Sequence, residues 1–66
     1  MNVAAMFHYL DELRESGETN MYGAGPYLRE AFGVSRAESH RVLAAWMETF
    51  DAKKSPAERA QGAVTL

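Results

Sequence analysis

The segment that decides the fold spans residues 26–50 and reads PYLREAFGVSRAESHRVLAAWMETF. Pro26 suits the first turn of a helix, where its missing amide N–H would lack a helical partner in any case. Gly33 can adopt the left-handed backbone conformation that commonly ends a helix. These residues predict a short helix from Pro26 to Phe32 in which Leu28 and Phe32 are buried.

A second, longer helix is predicted after the glycine. Ser35 and Glu38 have the spacing of a capping box, in which each side chain binds the backbone amide of the other residue. Apolar residues then recur at helical spacing, so this helix is expected to continue to about Ala52. Its predicted apolar face consists of Val42, Leu43, Trp46, Met47 and Phe50.

An amphipathic helix is predicted over residues 3–16. Asn2 is a favourable N-cap because its side-chain oxygen can accept a hydrogen bond from the first turn, and Gly17 supplies the C-cap. The apolar stripe of this helix consists of Val3, Met6, Phe7, Leu10 and Leu13. The polar residues off the stripe, which we expect to face solvent, are His8, Asp11, Glu12 and Glu15.

The remaining segments are predicted to be a loop and a short helix. Residues 18–25 contain two glycines that disfavour a helix, and we expect Met21 or Tyr22 to anchor this loop on the core. A second capping box at residues 55–58 predicts a brief helix that ends at Gly62.

The chain is therefore predicted to be all-α, a small bundle of three main helices with a short C-terminal helical turn. Residues 1–54 are assigned to one helical domain and residues 55–66 to a C-terminal tail. With 66 residues and no cysteine, the chain forms a small core without disulfides. We expect a homodimer, because pairing buries additional apolar surface.

No catalytic residues, cofactor or metal are predicted. No serine or cysteine can be paired with a base, and Gly23 and Gly25 follow no strand, which argues against a phosphate-binding loop. His8, Asp11 and Glu12 share a helix face at metal-ligand spacing, but no further ligand cluster accompanies them. The chain is expected not to be an enzyme.

Charge and hydropathy restrict the partners. The net charge of −2 argues against indiscriminate binding to nucleic acid. The distribution is uneven, since residues 1–25 are acidic and residues 26–54 are slightly basic. No apolar run is long enough for a membrane span, and the N-terminus lacks the basic start of a signal peptide. We expect a cytoplasmic protein without membrane contacts.

The corner at Gly33 resembles the helix-turn-helix of transcription regulators over residues 26–50. That motif needs a buried first helix, a small residue at the turn, and a second helix whose exposed face enters the DNA major groove. The resemblance implies a small regulator that binds double-stranded DNA as a dimer. The residues assigned to DNA recognition are Ser35, Arg36, His40 and Arg41. Additional candidate phosphate contacts are Arg29, Lys53 and Lys54.

Two positions depart from the motif. It favours a small residue where this chain has Arg29, and a branched apolar residue where this chain has Ser39. A helix–glycine–helix corner also occurs as a purely structural feature in proteins that do not bind DNA. Both interpretations of the corner stay open at the level of the sequence.

A wider pattern, SGETNMYGAGPYL followed by FG and AWMETF, resembles small uncharacterised proteins of tailed bacteriophages over residues 16–50. Compact phage proteins are mostly regulators, host-factor binders or inhibitors, and they act in the host cytoplasm. The alternative function is therefore a protein-interaction module that binds or inhibits a host protein without binding nucleic acid. Tyr22 and Met47 are the residues assigned to such a partner surface.

Overall fold

Capping residues set the helix limits in the computed structural model, which describes residues 2–51 and 53–62. The elements in these ranges are helix α1 (Val3–Ser16), a 3-10 turn (Met21–Gly23), helix α2 (Gly25–Phe32), helix α3 (Arg36–Thr49) and helix α4 (Pro56–Gly62). The described chain is helical with no strand, and the predicted all-α fold is confirmed.

The predicted caps are formed. Asn2 Oδ1 accepts a hydrogen bond from an amide in the first turn of α1 at 3.0 Å. Ser35 Oγ accepts from the Glu38 amide, and the Glu38 carboxylate accepts from the Ser35 amide, each at 3.1 Å. Gly17 and Gly33 have φ angles of 71° and 67°, a conformation that is costly for residues with a Cβ atom. Local sequence therefore determines where α1 and α2 end and where α3 begins.

The connection before α2 is more ordered than expected. It contains the 3-10 turn, and α2 begins at Gly25, one residue before the proline. Ala24 is completely buried and anchors the connection on the core, whereas Tyr22 is 87% exposed. Tyr22 therefore does not anchor the loop, and the side chain of Met21, the other predicted anchor, lies outside the described residues.

The C-terminal end of α3 lies earlier than predicted. The helix ends at Thr49, because Phe50 has ψ of 127° and so leaves the helical conformation. The predicted end, Ala52, lies outside the described residues, as do residues 63–66 of the predicted tail.

The core is built around α1, which packs against α2, α3 and α4. Its buried apolar residues are Met6, Phe7, Leu10, Leu13, Ala24, Leu28, Val42, Leu43 and Trp46. Phe32, which was predicted to be buried, is instead 36% exposed, and Met47 on the predicted apolar face of α3 is 37% exposed. The Phe32 ring contacts the Tyr9 ring edge-on, with the centroids 5.6 Å apart, so it covers the margin of the core.

A polar contact joins the last helix to this core. The predicted capping box starts α4, and its Arg59 is only 3% exposed. Arg59 Nη2 donates to Asp11 Oδ2, and Trp46 Nε1 donates to Asp11 Oδ1 at 2.8 Å. Asp11 was expected to face solvent, but its side chain is only 26% exposed. Its carboxylate thus connects α1, α3 and α4.

The substitution Asp11→Ala is expected to lower the free energy of unfolding by about 3 kcal/mol, because it leaves the buried Arg59 charge unpaired. Urea denaturation followed by far-UV circular dichroism measures this change. The matched control is Glu12→Ala, which removes an exposed carboxylate from the same helix and should change stability by less than about 0.5 kcal/mol. Equal losses in the two variants would contradict the role assigned to Asp11.

Candidate nucleic-acid interface

Helix α3 has one buried side and one exposed side. Arg36, His40 and Arg41 are all exposed, and at 100° per residue they fall within an arc of about 140°. Ala37 and Ala44 are exposed within the same arc. Their small side chains leave space for a partner to approach the helix backbone. Three of the four residues assigned to DNA recognition therefore share one face.

Ser35, the fourth, lies at the start of this face and is also exposed. Its hydroxyl oxygen already accepts the hydrogen bond from the Glu38 amide. The Ser35 side chain also hydrogen-bonds the Glu38 carboxylate and thereby lowers its pKa. Ser35 therefore acts first as the N-cap of α3, and a contact with DNA would compete with its bonds to Glu38.

The arginines of this face are free of ion pairs with carboxylates in the described chain. The ion pairs found there are His8–Glu12 and Arg59–Asp11. The carboxylates of α2 and α3 are Glu30, Glu38 and Glu48. None of them pairs with Arg36 or Arg41, so the positive charges on the face are not directly neutralised.

Glu38 is held by the capping box. Hydrogen bonds from the Ser35 backbone amide and then from the Ser35 side chain lower the pKa of Glu38, and the positive charge of Arg41 lowers it further. The Glu38 carboxylate is thus fixed at the helix N-terminus, where the helix dipole favours negative charge. It reduces the positive field near Arg41 but does not form an ion pair with it.

Arg29 and Ser39, the two residues that depart from the helix-turn-helix pattern, contact each other. Arg29 Nη1 donates a long hydrogen bond of 3.5 Å to Ser39 Oγ. Ser39 is completely buried, and its hydroxyl also donates to the Arg36 carbonyl at 2.9 Å. A polar contact between α2 and α3 thus occupies a place where the motif has apolar packing. Arg29 is half-buried, and one of its five N–H donors is used within the protein.

Lys53 and Lys54 lie apart from the other basic residues. Both are exposed, and their backbone amides bind Asp51 beyond the C-terminal end of α3. The 14 residues of α3 span about 20 Å, which separates these lysines from Arg36 at the other end. The structure brings Ser35, Arg36, His40 and Arg41 together but does not bring Lys53 and Lys54 to them.

The residues assigned to a partner surface are both on the outside. Tyr22 is 87% exposed on the 3-10 turn, and Met47 is 37% exposed on α3. Tyr27 and Phe32 of α2 are exposed to a similar degree as Met47. The core accommodates Trp46 but not these four side chains, and their participation in a protein interface stays a prediction.

Sequence reasoning missed Asp11 and Arg59. Asp11 lies on the polar side of α1, and Arg59 lies 48 residues further along the chain. No spacing pattern links residues that far apart, because their contact depends on how α4 packs. The only local indication was the capping box, which predicted that α4 exists but not which of its residues are buried.

Within residues 2–51 and 53–62, no group of three or more His, Asp or Glu side chains is placed to hold a metal ion. His8 pairs with Glu12, while Asp11 is engaged by Trp46 and Arg59. No helix in this part of the chain is long and apolar enough to cross a bilayer.

Comparison with models of known protein families, with curated proteins and with solved structures gave no match for this chain.

The capping box makes the stability depend on pH. The folded-state pKa of Glu38 lies below its ordinary value of 4.5. Its contribution is therefore fully present above the unfolded-state pKa and is lost as the pH falls through the folded-state pKa. Glu38→Ala should be less stable than the wild type at neutral pH, and this difference should shrink as the pH falls below about 4.5.

Thermal unfolding between neutral and acidic pH measures this effect. The matched control is Glu48→Ala, which removes an exposed carboxylate from the same helix away from its N-terminal cap. A difference between wild type and Glu38→Ala that is independent of pH would contradict the assignment.

Proposed function

We propose that the protein is a small DNA-binding regulator that uses the exposed face of α3 as its recognition surface. The observation that carries this proposal is the placement of Arg36, His40 and Arg41 on one exposed side of a capped helix without a carboxylate ion pair. Arginines paired with carboxylates would attract DNA phosphates only weakly, because the two opposite charges largely cancel.

The chemistry of this face suits double-stranded DNA. The major groove is wide enough for an α-helix, and arginine can bind guanine edges or phosphates with two N–H donors. His40 and Ser35 add hydrogen-bonding groups, and Ala37 and Ala44 permit close approach of the helix. The acidic residues of α1, including Glu12 and Glu15, lie on another helix.

A monomer of this protein is expected to bind DNA weakly. Phosphate contacts supply most of the affinity of such proteins, and this face carries only two arginines. A dimer doubles the contacts and places two recognition helices on one duplex. We therefore include a homodimer in the proposal.

Fluorescence anisotropy with labelled random duplex DNA at low and physiological salt tests the recognition face. The wild type should bind at low salt and weaken steeply as salt rises. The double variant Arg36→Gln/Arg41→Gln should bind less tightly, and its slope of log affinity against log salt should be shallower by roughly 2 per protomer.

The matched control for this experiment is Arg14→Gln, which removes one exposed positive charge from α1. This variant should retain the wild-type salt slope. Absence of binding by the wild type at low salt would overturn the proposal. Equal effects of Arg14→Gln and a single α3 variant would overturn the choice of face.

Protein binding is the second candidate function, and an aromatic patch formed by the half-buried Tyr9 and the more exposed Tyr27 and Phe32 favours it. Tyr27 and Phe32 are about one-third exposed, and Phe32 packs edge-on against Tyr9. Burial and then the charge of Glu30 raise the pKa of Tyr9. A negative charge beside aromatic rings suits a protein partner better than the phosphates of DNA.

The aromatic patch also supplies a test of the homodimer. Sedimentation velocity over a range of protein concentrations should reveal self-association, and Tyr27→Ser/Phe32→Ser should lower the dimer fraction because apolar contact area is lost. His8→Ser serves as the control, since it changes an exposed polar residue of α1. A wild type that is monomeric at every concentration, with and without DNA, would contradict the homodimer.

A further inference from the structure

An open cavity of about 350 Å³ lies between α1 and α2, within the aromatic patch. Its walls are formed by Tyr9, Tyr27, Glu30 and Ala31. Phe32 lies beside it, because its ring contacts the Tyr9 ring. Among the described residues, the walls therefore combine aromatic rings with one carboxylate and include no basic side chain.

The aromatic rings of this cavity are only partly covered by the protein. Tyr27 and Phe32 are each more than one-third exposed. The planes of the Tyr9 and Phe32 rings meet at 84°, so the edge of one ring rests on the face of the other. The ring that contributes its edge uses neither of its faces in this contact. The face of an aromatic ring carries partial negative charge and attracts a cation within about 6 Å of its centroid.

The charges around the cavity also favour a cation. Burial raises the pKa of Tyr9, and the charges of Glu30, Tyr27 and Glu18 raise it further. These three groups are acids, and no basic side chain of the described chain contributes to the shift. Glu30 and Glu18 form no ion pair with another described residue. Two carboxylates thus act on the cavity without a neutralising partner.

The arginines of the two helices are engaged away from this cavity. Arg29 follows Leu28 and precedes Glu30 in α2, but its Nη1 donates to Ser39 Oγ in α3. The Cζ atom of Arg14 in α1 lies 4.7 Å from the centroid of the Phe50 ring. Neither helix contains another arginine or a lysine. A cation for this cavity must therefore come from a different molecule.

We infer that this cavity binds the guanidinium group of an arginine side chain on a partner protein. A guanidinium stacks on aromatic rings and binds a carboxylate through two N–H donors, which the compact ammonium of lysine does not do. It can therefore contact Tyr27 and Glu30 together, while its aliphatic stem packs against the apolar surface of Phe32.

The cavity is open, and this indicates how the arginine is presented. A contact between a cation and an exposed aromatic ring is weak by itself, so a free small cation would bind poorly. An arginine surrounded by apolar residues of a protein interface would gain from both kinds of contact. The inference deepens the second candidate function, protein binding, and does not depend on the DNA-binding proposal.

The test is a titration of the ¹³C-labelled protein with two capped tripeptides at constant ionic strength. One has an arginine between two leucines, and the other has citrulline, the uncharged isostere of arginine, in the same place. The ring resonances of Tyr9, Tyr27 and Phe32 should shift in a saturable manner. The arginine peptide should bind about threefold to tenfold more tightly, because only its side chain carries a charge for the rings and for Glu30.

Two pairs of variants assign this preference to the cavity. Glu30→Gln should weaken binding of the arginine peptide about threefold, whereas Glu15→Gln, which removes an exposed carboxylate beside Phe50, should leave it unchanged. Tyr27→Leu keeps apolar area but removes the ring, and it should also weaken binding about threefold. Tyr27→Phe keeps the ring and should bind like the wild type. The altered residues are exposed, so all four variants are expected to fold.

Two results would overturn the inference. Equal binding of the arginine and citrulline peptides would show that the patch accepts apolar segments without regard to charge, which leaves protein binding intact but removes the guanidinium site. Absence of binding by either peptide would do the same, and ring shifts that depend on protein concentration alone would then identify a second copy of the chain as the occupant. A preference for arginine that is lost in Glu30→Gln and retained in Glu15→Gln supports the site.

Discussion

The carboxylate of Asp11 is the contact on which the placement of three helices depends. It accepts hydrogen bonds from the indole of Trp46 in α3 and from the guanidinium of Arg59 in α4. Both donors are almost completely buried, so neither has water as an alternative partner. Because a buried charge without a partner is strongly unfavourable, α4 can pack in this position only where the carboxylate meets Arg59. The bundle therefore has a polar constraint in addition to its apolar core.

Buried polar contacts also fix the orientation of α3. The side of α3 that carries Trp46 is held against α1, and the contact of Arg29 with Ser39 ties the same helix to α2. With these contacts in place, the opposite side of α3 faces outward and carries Arg36 and Arg41. The orientation of the candidate recognition face thus follows from buried polar contacts as well as from the hydrophobic pattern. The proposed functions place DNA on α3 and a protein partner on the aromatic patch.

The sequence predicted most of the local structure correctly because caps and turns depend on residues close together in the chain. The capping box of Ser35 and Glu38, the N-cap Asn2 and the left-handed Gly33 all act within one helical turn. Exposure was harder to predict. Phe32 and Met47 fit the helical spacing of buried residues but lie at the edge of a core that is too small to enclose them. The exposure of the four residues assigned to DNA recognition agreed with expectation.

The sequence by itself determined the helical class, the helix starts and the charged face at the beginning of α3, since these follow from periodicity and from short-range hydrogen bonds. The tertiary structure alone decided that Asp11 bridges three helices and that the Arg59 side chain is buried against Phe50. The physical reason is that the residues which make these contacts are far apart along the chain. The energy of a charge depends on its solvent exposure and its neighbours, and both arise only when segments as far apart as α1 and α4 pack together.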